Sequence, residues 1–252
     1  MYSKHFPEHI QKLVPYVPGK PIEETKREFG LKSVVKLASN ENPLGSSPKA
    51  IRALKKGISE LHRYPDASAY SLKSALVKFL GRKREEILIG NGSNDVIDLL
   101  IRCFCKPGEA IATTHAAFVA YEICAQVQGV QTLKAPLTEE LTPDCDALVS
   151  LVRDNAHVKL VFLANPNNPT GTYLPNGDLQ KLIKRMKDVR PDVMVVMDYA
   201  YWEYVTADDL TPPEKLYPAY DHVIVLRTFS KVYGLAGLRI GYAVGHPSIL
   251  GM

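Results

Sequence analysis

Lys231 and Arg239 lie eight residues apart in the largely apolar, glycine-rich run 226-LRTFSKVYGLAGLRIGY-242. Lysine and arginine are rarely buried without a partner. Desolvation favours the neutral form of a lysine amine, which can form a Schiff base with an aldehyde. The guanidinium of Arg239 suits a phosphate, and Thr228 and Ser230 add hydroxyl groups nearby. The alternative is that both cations extend to water from an amphipathic segment.

The motif GNGSND (90–95), which opens a predicted helix, indicates an anion site. Glycines allow a close backbone approach to a ligand, and the free N–H groups at a helix N-terminus favour an anion. Ser93 and Asn94 can also cap that helix, so a plain strand–turn–helix cap is the alternative. The motif is not GxGxxG and no Walker lysine follows it, which disfavours dinucleotide and triphosphate sites.

Asp198 directly follows the apolar run VMVVM. A carboxylate at the end of a buried strand needs a partner. It can cap the next turn, or it can keep a ligand ring nitrogen protonated, since an anion favours the charged form of a nearby cation. Tyr201 reaches the same ligand if the turn is helical. The turn NPNNPTG (165–171) adds Asn168, whose amide can bind a ligand oxygen.

A single ligand can use all these groups if it has an aldehyde for Lys231, a phosphate for Arg239 and the GNGSND amides, a basic ring nitrogen for Asp198, and a phenolic oxygen for Asn168 and Tyr201. Pyridoxal 5′-phosphate has all four groups, and its protonated ring is an electron sink for carbanion chemistry. We therefore predict a pyridoxal phosphate site in which Lys231 binds the cofactor covalently.

The segments that position these residues alternate between short apolar runs and amphipathic ones. Strands rich in Val, Ile and Leu predict burial on both faces, and their alternation with helices predicts an α/β fold with three α/β/α layers and a mostly parallel central sheet. Ligands of such sheets bind beyond the carboxyl ends of the strands. The predicted strands are 86–89, 110–113, 131–134, 159–163, 193–197, 222–227 and 240–244, and the predicted helices are 48–58, 70–80, 94–104, 117–126, 144–153 and 175–189.

The composition excludes several classes of protein. The 252 residues include 31 basic and 27 acidic ones, a balance that argues against nucleic-acid binding. We find neither an apolar run of about 18 residues nor the apolar core of a signal peptide, and we expect a cytoplasmic protein without a membrane segment. The 4 cysteines lack metal-ligand spacing, and Cys103 and Cys105 are predicted to be buried free thiols.

The order of motifs resembles that of the fold-type I pyridoxal-phosphate aminotransferases, over essentially the whole chain. The motifs are SNENPLG (39–45), RYPD (63–66), GNGSND (90–95), NPNNPTG (165–171), DYAY (198–201) and TFSK with GLRIGY (228–242). The opening LVPYVPGKPIEE (13–24), together with RYPD, is similar to the histidinol-phosphate aminotransferase branch. The resemblance implies an enzyme of histidine biosynthesis that transfers an amino group between histidinol phosphate and 2-oxoglutarate.

The resemblance also implies residue roles. Lys231 is the Schiff-base lysine and then the base for a 1,3-proton shift, Asp198 pairs with the pyridine nitrogen, and Asn168 and Tyr201 bind the phenolate oxygen. Phe118 stacks on the cofactor ring. The phosphate ligands are Ser93, Asn94, Thr228, Ser230 and Arg239.

Two further tyrosines complete the implied site. Tyr64 resembles a tyrosine that reaches the phosphate of the neighbouring subunit's cofactor, which implies a homodimer. Tyr16 resembles a tyrosine that lines the substrate pocket. In THAAFVAY (114–121), His115 replaces the proline that is usual in the family, and we interpret it as a surface turn histidine.

The end of the sequence departs from the family. It stops ten residues after GLRIGY, whereas family members continue into a small C-terminal domain with the arginine that binds the substrate carboxylate. We therefore expect residues 1–38 to be an N-terminal arm with part of the small domain, and 39–252 to be a cofactor-binding large domain that is incomplete at its C-terminal end. No residue is assigned as the carboxylate-binding arginine.

Two kinds of alternative remain open. A related threonine-phosphate decarboxylase or aromatic amino-acid aminotransferase would share nearly all these residues, because specificity depends on the pocket walls. A chain that binds pyridoxal phosphate, or only a phosphate-bearing ligand, without turnover is the alternative of a different class.

Overall fold

The computed structural model describes residues 2–17 and 19–251, apart from the side chains of Tyr2, Ser3 and Tyr217. Within these residues the strand-forming runs build one seven-stranded sheet in the order β1-β7-β6-β5-β4-β2-β3. The strands are β1 (Ile87–Gly90), β2 (Ala110–Thr114), β3 (Gln131–Ala135), β4 (Val158–Ala164), β5 (Met194–Asp198), β6 (Val223–Thr228) and β7 (Gly241–Val244). Each lies within two residues of its predicted position.

The sheet is mostly parallel, as predicted, and β7 is the exception. β2 pairs in parallel with β3 and β4, and β5 pairs in parallel with β4 and β6. β7 runs antiparallel to both β6 and β1. A parallel neighbour requires a long crossover. The connection from β6 to β7 contains only a 3-10 turn (Ala236–Leu238), so the chain returns beside β6 in the opposite direction.

The helices lie on both faces of the sheet, which confirms the three-layer architecture. One face packs against α4, α7 and α8, and the other against α5 and α6. The helices are α1 (Glu8–Gln11), α2 (Ile22–Phe29), α3 (Pro48–Gly57), α4 (Tyr70–Leu80), α5 (Ser93–Phe104), α6 (Ala120–Val127), α7 (Cys145–Asp154), α8 (Asn176–Val189), α9 (Pro213–Leu216) and α10 (Pro247–Leu250).

Three details differ from the sequence predictions. The predicted helix 117–126 starts three residues later, after Ala116, which has a left-handed backbone with φ of 51°. The short helices α1, α2, α9 and α10 were not predicted, and the first two bury no residue. The prediction that both cysteines of the CFC segment are buried is wrong for Cys103, which is exposed, while Cys105 is buried. Cys103 lies beside the face of α5 that is buried, which is formed by Val96, Ile97, Leu100 and Ile101.

The N-terminal third exposes much of its apolar surface. α3 buries no residue, and Ile51, Leu54 and Ile58 are spaced along one side of it and its continuing turn with more than a third of their surface exposed. Among the described helices, none has the length and apolar character needed to cross a membrane.

Candidate functional site

A cavity of about 220 Å³ opens where the carboxyl ends of β1, β4, β5 and β6 meet. The four polar segments that follow these strands converge there. Ten residues singled out in the sequence line this cavity together: Ser93, Asn94, Phe118, Asn168, Asp198, Tyr201, Thr228, Ser230, Lys231 and Arg239. Among the described residues, no cluster of His, Cys, Asp and Glu is suited to a metal ion.

Asp198 is the last residue of β5 and is only 3% exposed. Its Oδ2 accepts a hydrogen bond from the hydroxyl of Tyr121 at 2.9 Å, and its Oδ1 accepts one from the backbone N–H of Ala200 at 3.0 Å. Burial raises the pKa of Asp198, while these two hydrogen bonds and the charge of Lys231 act in the opposite direction. The carboxylate is thus buried with two donors and lines the cavity, where it can stabilise a cation.

Lys231 lies on the turn that follows β6. Its Nζ donates to the carbonyl oxygen of Ser39 at 3.2 Å and lies 5.4 Å from the ring centroid of Tyr201. Lys231 and Asp198 line the same cavity. An electrophile bound there would therefore meet an amine and a carboxylate together.

The anion-binding end of the cavity is built from Gly92, the N-terminus of α5, and Arg239. Gly92 has a left-handed φ of 83°, and a Cβ on it would lie 2.5 Å from Nη2 of Arg239. Glycine is therefore required for the guanidinium to approach the helix start. No side chain caps α5, so its first N–H groups remain available for an anion.

Arg239 itself makes two side-chain hydrogen bonds with the described residues, both to backbone carbonyls. Its Nη1 donates to the carbonyl oxygen of Ala236 at 3.1 Å, and its Nη2 donates to that of Asn91 at 3.5 Å. Within the part of the chain that the structure describes, no carboxylate pairs with it. Thr228 and Ser230, whose hydroxyl oxygens are 3.0 Å apart, line the same cavity as Arg239. These donors form a suitable cradle for a phosphate.

Asn40 was missed by the sequence reasoning. Its Nδ2 donates to the hydroxyl of Tyr201 at 2.9 Å and to Oδ1 of Asn168 at 3.5 Å. Asn40 belongs to the motif SNENPLG (39–45), which follows no predicted strand. Candidate site residues were sought only at strand ends, so this motif contributed only to the family resemblance. Tertiary contacts bring it to the cavity: Asn42 Nδ2 donates to the carbonyl of Val232 at 2.7 Å.

Tyr121 was also missed, because it reads as a core position of α6. It is fully buried and stacks on Phe162, with ring centroids 4.9 Å apart and an interplanar angle of 21°. Its ring meets Phe118 edge to face at 5.7 Å. Tyr121 therefore links the buried carboxylate of Asp198 to the aromatic residue of the cavity wall.

The two further tyrosines lie in different places. Tyr16 lines a second cavity that shares Phe118, Tyr201 and Lys231 with the first. Tyr64 is 100% exposed and lines neither cavity of its own chain. His115 is an exposed turn residue, as predicted.

The family description and the named relatives that match this chain agree with each other. The family description "Aminotransferase class I and II" matches residues 32–251. The histidinol-phosphate aminotransferase of Anaeromyxobacter sp. is 46% identical over 97% of this chain and 66% of its own length, and that of Bdellovibrio bacteriovorus is 44% identical over 96% and 65%. The chain thus spans about two thirds of the length of these curated relatives.

A solved structure shows the same relationship at the level of the fold. The histidinol-phosphate aminotransferase of Sinorhizobium meliloti, crystallised in complex with pyridoxal-5′-phosphate, superposes with a TM-score of 0.84 at 28% identity. The match covers 97% of this chain and 64% of that one. The chain belongs to the aminotransferase class I and II family, a family of pyridoxal-phosphate enzymes.

Proposed function

We propose that this protein transfers an amino group between histidinol phosphate and 2-oxoglutarate, as a step of histidine biosynthesis, with pyridoxal phosphate attached at Lys231. The observation that supports this most directly is that Lys231, Asp198 and Arg239 line one cavity. The names of the relatives that are 44% and 46% identical support the choice of substrate.

The residues of the cavity fit the cofactor group by group. Arg239, which lacks an acidic partner among the described residues, lies beside the uncapped N-terminus of α5 and would hold the phosphate with Ser93, Asn94, Thr228 and Ser230. The buried carboxylate of Asp198 would pair with the pyridine nitrogen. Asn168 and Tyr201 would bind the phenolic oxygen, and Phe118 would stack on the ring.

The side chains then divide the chemical work. When bound, pyridoxal phosphate supplies an aldehyde that accepts the amino group and a ring that withdraws electrons. Asp198 would keep a proton on the ring nitrogen, because its negative charge would favour the protonated form. Lys231 Nζ would act as the general base that removes the proton from the substrate carbon bearing the amino group, and then as the general acid that returns it. Since one site serves both half-reactions, ping-pong kinetics are expected.

We further propose that the active unit is a homodimer in which Tyr64 reaches the partner's site. Its complete exposure and the exposed apolar side of α3 support this arrangement. If it is correct, mixing Lys231→Ala and Tyr64→Ala proteins restores activity to about a quarter of the wild-type value, because half the dimers are hybrids with one intact site. If the mixture is only as active as the sum of the two variants measured separately, the arrangement is contradicted. The cytoplasmic location and the division at residues 38 and 39 stay predictions.

The test of the reaction is an absorbance titration of the purified protein with pyridoxal phosphate, followed by glutamate and then by histidinol phosphate. Lys231→Ala is expected to abolish both the absorbance band of the attached cofactor and turnover. Retention of both would overturn the proposal.

Measuring 2-oxoglutarate formation against carbon dioxide release distinguishes amino transfer from decarboxylation. A substrate panel that includes aromatic amino acids tests the remaining alternative. The comparisons favour neither the decarboxylase nor the aromatic amino-acid aminotransferase, since the named relatives are histidinol-phosphate aminotransferases. Cofactor binding without any product would indicate a binding protein.

A further inference from the structure

An ion-pair network centred on one buried arginine contributes no side chain to the lining of the cavity. Arg227, in β6, is 5% exposed. It forms a close ion pair with Glu203, and its Nη1 lies 3.8 Å from Oε2 of Glu214. The side chains of Glu203 and Glu214 are 16% and 28% exposed. The proposed reaction leaves all three charges without a role.

Glu203 connects two turns that carry cavity residues. It lies in the 3-10 turn Trp202–Tyr204, two residues after Tyr201. Arg227 directly precedes Thr228 and lies four residues before Lys231. The ion pair therefore joins the Tyr201 turn to the strand that leads into the Lys231 turn.

A second contact of Glu203 reaches beyond Lys231. Burial, and after it the carboxylate of Glu203, raise the pKa of the Tyr233 hydroxyl, so this hydroxyl lies close to Glu203. The ring of Tyr233 lies 5.3 Å from that of Phe229, so this aromatic pair flanks Lys231 in sequence. One carboxylate is thus shared between a residue before the Lys231 turn and a residue after Lys231.

The stability of the fold does not by itself explain such a network. A buried ion pair recovers little more than the cost of removing its charges from water, and apolar replacements are often as stable. A charged pair with directional hydrogen bonds does define the spacing of the elements that it joins. Here the spacing in question is that of Tyr201 and Lys231, whose ring centroid and Nζ are 5.4 Å apart.

We propose that Glu203 is a positioning residue that sets the distance between Tyr201 and Lys231 by holding the turns that carry them. The inference rests on the proposed function, because it assigns Glu203 to the same reaction. Glu203 touches neither cavity and acts through Arg227 and Tyr233.

The test uses Glu203→Gln, which keeps the size of the side chain and removes its charge. Because a small displacement of catalytic groups slows a reaction strongly, we expect kcat to fall by about tenfold to a hundredfold, with KM for glutamate changed less than about threefold. The dissociation constant of pyridoxal phosphate rises and the absorbance maximum of the bound cofactor shifts. Tyr233→Phe, which removes only the hydroxyl close to Glu203, gives smaller changes in the same direction.

Asp192→Asn is the matched control, because Asp192 pairs with Arg190 at 2.9 Å outside the cavity. It lowers the melting temperature and leaves the cofactor's dissociation constant and absorbance maximum unchanged. The inference is overturned if Glu203→Gln behaves like this control in both cofactor readouts. If Glu203→Gln does not fold, wild-type values of both readouts in Tyr233→Phe overturn it.

The two proposals fail in different ways. Wild-type protein that binds the cofactor without transferring an amino group overturns the proposed reaction, and the cofactor readouts still decide the role of Glu203. Wild-type protein that does not bind the cofactor overturns both.

Discussion

At the amino ends of β4 and β5, Arg190 directs its guanidinium to the protein itself. It pairs with Asp192 at 2.9 Å and donates to four backbone carbonyls at 2.9 to 3.4 Å, those of Val152, Asn155, Ala156 and Val158. At the carboxyl ends, Arg239 contacts two carbonyls, at 3.1 and 3.5 Å, and pairs with no carboxylate of the described residues. The donors of Arg190 are used within the protein, whereas Arg239 keeps donors that a ligand can use.

The aspartates of the two regions differ in the same way. The hydrogen bond from Arg190 lowers the pKa of Asp192 to about 2, whereas burial raises the pKa of Asp198. A side chain whose partners all belong to the protein contributes to stability. A buried charge that is only partly compensated indicates a site for a ligand, at some cost to the fold without that ligand. Substitutions at the amino ends of the strands should therefore affect stability, whereas those at the carboxyl ends should affect cofactor binding and rate.

The largest effect is expected from Asp198→Asn. Loss of the anion beside the ring nitrogen should lower the rate of amino transfer by about 10²–10⁴-fold. The folded pKa of Asp198 is raised, so its contribution to stability is favourable at low pH and is lost as the pH rises through that pKa. The cofactor-free variant should therefore be no less stable at pH 7. Steady-state kinetics and thermal melting test this, and a marked loss of stability without loss of rate would reverse our interpretation.

The two arginines offer a paired experiment. Arg239→Lys keeps the charge and loses the two-pronged hydrogen bonding, so we expect the affinity for pyridoxal phosphate to fall by about tenfold to a hundredfold, with the melting temperature unchanged. Arg190→Lys should lower the free energy of unfolding by about 1–3 kcal/mol, because partly buried carbonyls lose their donors, and should leave the affinity unchanged. Equal effects of both changes on affinity would remove the distinction between the two regions.

A smaller effect is expected at Gly92. An added methyl group would lie 2.5 Å from Nη2 of Arg239, on a backbone with φ of 83°. Gly92→Ala should therefore displace the guanidinium, weaken cofactor binding and lower stability by about 1–3 kcal/mol. Gly177→Ala is the control, since nothing lies within 4 Å of its added Cβ and alanine favours α8 by about 0.5–1 kcal/mol. Titration calorimetry with pyridoxal phosphate compares the two, and wild-type binding by Gly92→Ala would contradict the geometry.

The smallest effect concerns the pH dependence of stability. Because the folded pKa of Asp192 is lowered from 3.8 to about 2, its contribution is present above pH 3.8 and is lost as the pH falls toward 2. Its side chain is 55% exposed, so the contribution is about 1 kcal/mol or less. Denaturant unfolding of wild type and Asp192→Asn should differ at pH 6 and converge near pH 2. If the two proteins still differ in their free energy of unfolding near pH 2, the difference does not come from the ionised carboxylate of Asp192.

The sequence by itself determined the α/β layers and most of the cofactor cavity. Asn168, Asp198 and Thr228 follow or end apolar runs, and neighbouring parallel strands bring their carboxyl ends to one edge. Residue type and spacing were therefore enough to place these side chains near Lys231.

Only the tertiary structure decided the antiparallel position of β7 and the contributions of Asn40 and Tyr121. Asn40 lies 128 residues from Asn168 and Tyr121 lies 77 residues from Asp198, and nothing local indicates either contact. Arg227 and Glu203 likewise read as ordinary charges until their burial is seen. The physical reason is that hydrophobic periodicity specifies which face of an element is buried, whereas hydrogen bonds between distant side chains depend on how those elements pack.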